Sequence, residues 1–309
     1  SRNRRIGVGI TGITDWILER YDKPAVLGFT EDGDPIYNED VIRDLDRFYK
    51  LVKKTNREHA KALGTEPSIK LTTVKPSGTV SILMGVSPGM HYHWSKYMIR
   101  RVRLSANSEL VNALLESGYK VEPEIKGFDE NGQPIYGYNT VVAEFPIKAP
   151  TADKKYFKGA RDVSLQEQAA LQALLATYWA DNSVSATLSF DPIKEPVYFP
   201  DGTPVMEKNE FTGQMVPKKE INPKRAEERV EEITDILDKY KGIIKSTTML
   251  PHDTDVYPQM PLEEIDEETY NKMVAKIKAN PWEKLTGKVY EDFELDESME
   301  CVGGNCPIR

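Results

Sequence analysis

The segment 70–93, KLTTVKPSGTVSILMGVSPGMHYH, constrains the fold more than any other part of the chain. It opens with branched residues that favour a pleated strand, and the run stops at Pro76, which has no N–H for a strand ladder. Small residues and then an apolar segment follow, as at the start of a helix. A strand, a tight turn and a helix start aim unpaired backbone N–H groups at an anion. The pattern indicates either a phosphate-binding loop or a capped turn between two elements.

The candidate anion-binding residues lie in the turn itself. Ser77 and Thr79 carry hydroxyl donors, and Gly78 lets an anion approach the backbone closely. The predicted loop consists of Pro76, Ser77, Gly78, Thr79 and Val80.

Two histidines and a basic run follow this loop. His91 and His93 alternate like strand neighbours that face a ligand, but two histidines without a third ligand do not make a metal site. The strand-like run 97–103, YMIRRVR, has its arginines either near the same anion or on the surface of an edge strand. No metal site is predicted.

Composition excludes several classes of protein. The 309 residues, 39% hydrophobic and 29% charged, are typical of a globular protein with a substantial core. A net charge of −8 argues against nucleic acid and anionic membranes as partners. No apolar run approaches the roughly 20 residues that span a bilayer. Two cysteines exclude a disulfide-stapled secreted fold, so we expect a reducing, cytoplasmic compartment.

Helical and strand patterns alternate along the chain, which predicts an α/β fold with parallel strand pairing. A first helix that reaches about residue 20 is predicted by the helical spacing of Ile6, Ile10, Ile13 and Ile17. The further predicted elements are a helix over 39–63 ended by Gly64, a helix over 164–180 with a Ser164/Glu167 capping box, strands over 184–190 and 243–250, and a polar, hairpin-rich insertion at about 195–220.

Both cysteines of the chain lie in its terminal segment, CVGGNCPIR. No rigid element separates Cys301 from Cys306, so the pair can reach disulfide geometry and exchange with other thiols. A half zinc site and two incidental surface thiols are the alternatives. At about 3.4 Å per residue, a flexible tail over 283–309 has the reach to carry electrons between a buried site and an external reductant.

The chain resembles the C-terminal part of ribonucleotide reductases, most closely the monomeric adenosylcobalamin-dependent ribonucleoside-triphosphate reductases. The similar segments occur in family order and span nearly the whole chain. They are NRRIGVGITG at 3–12, VKPSGTVSILMGVSPGMH at 74–91, YMIRRVRLSAN at 97–107, YWADNSVS at 178–185, LPH at 250–252, YPQMP at 257–261 and CVGGNCPIR at 301–309.

This resemblance implies a function and a set of site residues. It implies that residues 1–282 form the C-terminal portion of a ten-stranded α/β barrel, with the redox-active tail at 283–309. The loop 76–80 would hold the phosphates of a ribonucleotide, which a radical mechanism with adenosylcobalamin reduces to the 2′-deoxyribonucleotide. Cys301 and Cys306 would re-reduce an active-site disulfide and accept electrons from a thioredoxin-like reductant.

Within the family that the chain resembles, the predicted strand at 243–250 favours the adenosylcobalamin-dependent class. Relatives that take their radical from a metal-containing partner subunit carry adjacent tyrosines on this strand, and IIKSTTML has none. The tail also lacks the glycyl motif of a third class. A diphosphate-specific or metal-radical reductase and a noncatalytic, dithiol-carrying subunit remain the alternatives.

The chain departs from the family in one respect. The family needs a thiyl-radical cysteine and a second cysteine pair near the substrate, and this sequence has no cysteine before Cys301. We therefore expect an N-terminal portion of the reductase as a partner, either as a separate chain or as a missing segment. The first residue is not Met, which is also expected of a fragment, a processed product or one half of a split protein.

Overall fold

The computed structural model describes residues 4–129, 131–191, 193–209, 215–252, 258–278 and 280–284. The chain forms two compact units. Unit 1 comprises Ser1–His93, Ala149–Ile193 and Pro223–His252. Unit 2 comprises Trp94–Lys148, Lys194–Asn222 and Asp253–Arg309.

The secondary structure is mixed. The helices are α1 (Ile13–Tyr21), α2 (Glu39–Ala62), α3 (Gly78–Met84), α4 (Glu109–Glu116), α5 (Leu165–Tyr178), α6 (Pro223–Lys239) and α7 (Glu267–Val274), with 3₁₀ turns at Ala160–Asp162 and Pro281–Lys284. The strands are β1 (Arg5–Gly9), β2 (Val26–Phe29), β3 (Pro35–Tyr37), β4 (Lys70–Thr73), β5 (Tyr97–Ser105), β6 (Lys120–Phe128), β7 (Pro134–Lys148), β8 (Thr187–Phe190), β9 (Lys194–Pro196), β10 (Met206–Lys208), β11 (Met215–Pro217), β12 (Lys219–Ile221), β13 (Thr248–Pro251) and β14 (Leu262–Glu264).

Unit 1 is built around parallel strands. β1 pairs in parallel with β4, and β8 pairs in parallel with β13. A parallel bridge between Val74 and Val184 connects the two pairs. The parallel pairing predicted from the alternating helix and strand patterns is confirmed for these two pairs, whereas β2 and β3 of the same unit pair antiparallel.

The segment that follows α5 lies along the second edge of β4. The indole Nε1 of Trp179 donates a hydrogen bond to the Thr73 carbonyl at 3.0 Å. Asn182 Nδ2 donates to the Thr72 carbonyl at 3.0 Å, and Asp181 accepts from the Leu71 amide at 3.1 Å. β4 is therefore held by β1 on one edge and by side chains of this segment on the other.

Helix α5 forms the centre of the unit 1 core. Its Leu171, Leu174 and Leu175 side chains are almost completely buried, as are Ile13 and Ile17 of α1. Each such side chain contributes roughly 1.5–3 kcal/mol through burial. The Ser164 half of the predicted capping box is confirmed at its start, because the Ser164 hydroxyl accepts from the Glu167 amide at 3.1 Å, whereas the Glu167 carboxylate accepts from Lys158 Nζ.

The prediction of a single first helix that includes Ile6 and Ile10 was wrong. Residues 5–9 form β1, and α1 begins only at Ile13. Between them, Gly12 has φ of 68°, which ends the strand and is not helical. A Cβ at Gly12 would lie 2.8 Å from the Val86 side chain, so the chain turns here at close quarters. The prediction for 39–63 is confirmed by α2, with Gly64 at φ 62° just beyond it.

Unit 2 contains an antiparallel sheet with strand order β14–β5–β7–β6, which the expectation of parallel pairing did not anticipate. In the segment predicted to be a polar, hairpin-rich insertion, β10 pairs with β11 and β9 pairs with β12, both antiparallel. Across the described ranges of both units, no helix combines the length and the apolar character needed to cross a membrane.

The buried side chain of Gln172 links helix α5 by hydrogen bonds to the segments that lead into β8 and β13, and a substitution can test this link. Its Nε2 donates to the carbonyls of Val184 and Ser246 at 3.0 and 2.9 Å, and the residue is fully buried. The change Gln172→Leu removes both donors, so the free energy of unfolding should fall by about 1–3 kcal/mol in urea denaturation. The exposed Gln166→Leu is the matched control and should change it by less than about 0.5 kcal/mol. Equal losses in the two variants would contradict this role of Gln172.

Candidate functional site

The parallel pairing of β1 and β4 brings the chain after each strand to one edge of the sheet. Thr11 follows β1 and Ser77 follows β4. Their side chains meet there, because the Ser77 hydroxyl donates to Thr11 Oγ1 at 2.6 Å. Carboxyl ends of parallel strands are the usual place for ligands in α/β sheets.

The predicted loop lies at this edge and leads directly into α3. Pro76, Ser77 and Gly78 are half-buried, whereas Thr79 and Val80 are exposed. No described side chain caps α3, and the first N–H groups of a helix have no intrahelical acceptor. The loop can therefore offer an anion the amides of residues 78–80 and the Thr79 hydroxyl. The Ser77 hydroxyl, expected from the sequence to face the anion, donates inward to Thr11 instead.

A turn at 87–89 packs beneath the loop. Gly89 donates its amide to Thr11 Oγ1 at 2.9 Å, and Thr11 donates to the Ser87 carbonyl at 3.1 Å. Gly89 has φ of 59°, and a Cβ there would lie 2.2 Å from the Lys75 carbonyl oxygen. Only glycine allows the turn to approach the base of the loop this closely.

A buried carboxylate anchors the same turn. Asp15, in the first turn of α1, accepts hydrogen bonds from the Ser87 amide at 2.7 Å, from the Thr151 hydroxyl at 2.8 Å and from His93 Nε2 at 2.9 Å. Burial by itself raises the pKa of Asp15. The His93 ring and the other donors more than offset that effect, so the pKa lies below its usual value.

The expectation that His91 and His93 alternate as neighbours on one strand is wrong. Both lie in the loop after α3, not in a strand. The amide of Thr187 donates to His91 Nε2 at 3.1 Å, so His91 Nδ1 carries the proton that bonds the Pro88 carbonyl at 2.9 Å. Burial lowers the pKa of His91, which favours this neutral ring. Within the described ranges, no cluster of three or more potential metal ligands occurs.

The arginines of the run 97–103 belong to unit 2. β5 lies between β14 and β7, so the edge-strand interpretation is wrong. Arg101 is ion-paired with Glu144 at 2.9 Å and with Glu263, and Arg103 is ion-paired with Glu124 at 2.8 Å. These carboxylates neutralise the two arginines within their own unit. Cys301 and Cys306 lie outside the described residues.

Thr11 and Asp15 are the site residues that sequence reasoning missed. Asp15 carried a usable signal, because it stands between Ile13 and Ile17, both of which pack into the core. A charged residue next to such apolar positions needs buried donors. Thr11 carried no comparable signal, since its partners are more than 60 residues away in the sequence.

Comparisons with known proteins give this geometry a context. No family model matches the chain. The adenosylcobalamin-dependent ribonucleoside-triphosphate reductases of Levilactobacillus brevis and Lactobacillus leichmannii are 38% and 37% identical to it over the whole chain. A crystal structure of a B12-dependent class II ribonucleotide reductase superposes with a TM-score of 0.73 over 91% of this chain, at 37% identity.

The chain is homologous to the C-terminal part of these reductases. The family resemblance predicted from the sequence motifs is thereby confirmed. The chain spans 37% of the length of the two curated reductases and 34% of the crystallised one. Its mixed α/β architecture, with the curled parallel strands of unit 1, is similar to the class II reductase structure.

The buried Asp15 makes stability depend on pH in a defined direction. Because its pKa is lower in the folded protein, its contribution is present above the unfolded value of about 3.9 and is lost as the pH falls through the folded value. Asp15→Asn should lower the free energy of unfolding by about 2–3 kcal/mol at pH 7, with the difference from wild type shrinking below about pH 4. Thermal unfolding followed at a series of pH values measures both effects.

Asp46→Asn on the surface of α2 is the control for this experiment. Asp46 is paired with Lys50 in a largely exposed ion pair, so its removal should change stability by at most about 1 kcal/mol at neutral pH. A pH profile of Asp15→Asn parallel to that of wild type would show that the carboxylate does not act as described.

Proposed function

We propose that this chain is the C-terminal portion of an enzyme that reduces ribonucleoside triphosphates to 2′-deoxyribonucleoside triphosphates with adenosylcobalamin. The similarity to reductases of that name over the whole chain, at 36–38% identity, carries the proposal. The agreement with a class II reductase structure over 91% of this chain also supports it.

The proposed reaction replaces the 2′-hydroxyl of the ribose with hydrogen. The 2′ C–O bond breaks, its oxygen leaves as water, and two thiols supply the electrons and become a disulfide. Cys301 and Cys306 would then reduce that disulfide by thiol–disulfide exchange and be reduced in turn by a thioredoxin-like protein. Adenosylcobalamin, when bound, supplies the radical that starts the reaction.

In this proposal the loop 76–80 holds the substrate phosphates. The amides of Gly78, Thr79 and Val80 start α3, where the helix dipole favours negative charge. The exposed Thr79 adds a hydroxyl donor. The segment 70–93 contains two lysines and no acidic residue. A polyphosphate is therefore not repelled by any negatively charged side chain of this segment.

A longer polypeptide would complete the site. α3 exposes several neighbouring apolar side chains to solvent, with Val80 53%, Leu83 80% and Met84 66% exposed. Exposed apolar patches of this kind commonly mark a surface that contacts another polypeptide. All five residues of the strand β1 are exposed as well. We infer that the remainder of the reductase, as a preceding segment or a separate chain, covers these surfaces. It would close a ten-stranded α/β barrel and supply the thiyl-radical cysteine.

One depression in unit 1 does not fit adenosylcobalamin. It has a cavity volume of about 360 Å³, but its lining is charged apart from Ile193. It is lined by Asp191, Ile193, Arg225, Glu228, Arg229 and Glu232. A corrin ring needs a broad apolar contact, as most organic ligands do. This charged depression is therefore not a cofactor site of the proposed reaction.

Deoxynucleotide formation tests the proposal directly. We expect turnover of a ribonucleoside triphosphate with adenosylcobalamin and dithiothreitol when this chain is combined with the polypeptide that precedes or accompanies it in its source. Turnover that requires iron or manganese instead of adenosylcobalamin would reject the cofactor assignment. Turnover by this chain alone would reject the account of a radical cysteine elsewhere.

The same assay tests the dithiol. Cys301→Ser should abolish turnover with thioredoxin as the reductant and leave turnover with dithiothreitol largely intact, because a small dithiol reaches the active site without the tail. Loss of turnover with both reductants would contradict the shuttle role of the tail.

Thr79 tests the loop. Thr79→Asp places a carboxylate in the first turn of α3, where it favours the helix but repels a bound phosphate. The KM for the nucleoside triphosphate should rise about tenfold or more, an effect of about 1.4 kcal/mol. Thr79→Asn is the control, because the Asn side chain is of nearly equal size, carries no charge and still offers a hydrogen-bond donor to the phosphate, so KM should change by less than about threefold. Equal KM values for the two variants would place the phosphates elsewhere.

A further inference from the structure

Ser77 has a backbone conformation that few residues with a side chain adopt. Its φ of 44° and ψ of 45° lie in the left-handed region, although it is not a glycine. Such a conformation costs about 1–3 kcal/mol and persists only where the surrounding contacts impose it. The contacts that impose it at Ser77 are therefore part of the site.

Two hydrogen bonds of Ser77 restrain its left-handed backbone conformation. Its carbonyl accepts the Ser81 amide at 2.9 Å as α3 begins. Its hydroxyl donates to Thr11 Oγ1 at 2.6 Å, which ties the loop to the chain after β1. The first contact belongs to any helix start, so the second is the specific restraint.

The Thr11 hydroxyl is fully used inside the protein. It accepts from the Ser77 hydroxyl and from the Gly89 amide, and it donates to the Ser87 carbonyl. A hydroxyl has one proton to donate and two lone pairs to accept with, and these three bonds use all of them. Thr11 therefore has no hydrogen-bonding capacity left for a ligand.

We propose that Thr11 is a positioning residue that holds Ser77 in its left-handed conformation and thereby sets the direction of the amides that receive the substrate phosphates. The ψ angle of Ser77 orients the peptide plane that carries the Gly78 N–H. Relaxation of ψ from 45° to the usual extended value of about 135° would rotate that plane by about 90°. This inference rests on the proposed function of the loop.

The test replaces Thr11 with side chains of nearly equal size. Thr11→Val removes the hydroxyl and should raise the KM for the ribonucleoside triphosphate at least tenfold, with kcat changed less than threefold, because phosphate binding is uniform to ground and transition states. Thr11→Ser keeps the hydroxyl and should remain within about twofold of wild type. Both are measured in the chain combined with its completing polypeptide.

Thr14→Val is the matched control. The Thr14 hydroxyl shares a hydrogen bond of 2.9 Å with Ser87 Oγ, in the same turn that Thr11 contacts, but it is not bonded to Ser77. Its removal weakens the turn without releasing the loop, so the KM should stay within about threefold of wild type. A KM that rises equally in Thr11→Val and Thr14→Val would overturn the inference in favour of general loosening.

A double variant distinguishes the role of Thr11 in holding the conformation of Ser77 from a general loss of packing around Thr11. Glycine adopts the left-handed region without a steric penalty. In a Ser77→Gly background, Thr11→Val should therefore raise the KM by a smaller factor than it does with Ser77 present. Equal factors in the two backgrounds would overturn the inference. If Thr11→Val does not fold, Thr11→Ala replaces it in the same cycle.

The Thr79 variants distinguish failure of this inference from failure of the proposed loop. If Thr79→Asp raises the KM and Thr11→Val does not, the loop binds phosphate and Thr11 does not position it. If neither variant changes the KM, the phosphates bind elsewhere and both the loop function and the role of Thr11 are overturned.

Discussion

The hydrogen bonding of β4 on both of its edges is the constraint on which unit 1 depends. β1 pairs with one edge, and the Trp179 indole and the Asn182 and Asp181 side chains bond the other. Because the strand is held on both sides, the position where it ends is defined. The phosphate-loop candidate begins a few residues beyond that end, so its position follows from the hydrogen bonds that the backbone of β4 makes on its two edges.

From this edge outward, the polar groups form a connected series. The loop is tied to Thr11, Thr11 to the turn at 87–89, and that turn to the buried Asp15. Each step satisfies a donor or an acceptor that would be costly to leave unpaired in the interior. The net charge of −8 does not argue against anion binding at the loop. An anion there would be attracted by the nearby backbone amides, whose effect is local, whereas the net charge is a property of the whole chain.

Local patterns in the sequence predicted the elements whose stability is local. The long amphipathic α2 with Gly64 beyond it, and the Ser164 cap of α5, follow from periodicity and from hydrogen bonds between near neighbours. The same periodicity misled the prediction for residues 6–10, because Ile6 and Ile10 stand at helical spacing from Ile13 and Ile17. Pairing with β4, more than 60 residues away, makes that segment a strand.

The sequence by itself determined that a strand, a turn at residue 76 and the start of a helix follow one another, and its motifs determined the family. Both depend on residue types and spacing within short segments. Only the tertiary structure decided that the Ser77 hydroxyl turns inward, that Thr11 receives it, and that Asp15 is a buried acceptor for His93 and Thr151. The physical reason is that these bonds join parts of the chain that are distant in sequence. Their partners become neighbours only once the parallel strands have paired and the core around α5 has formed.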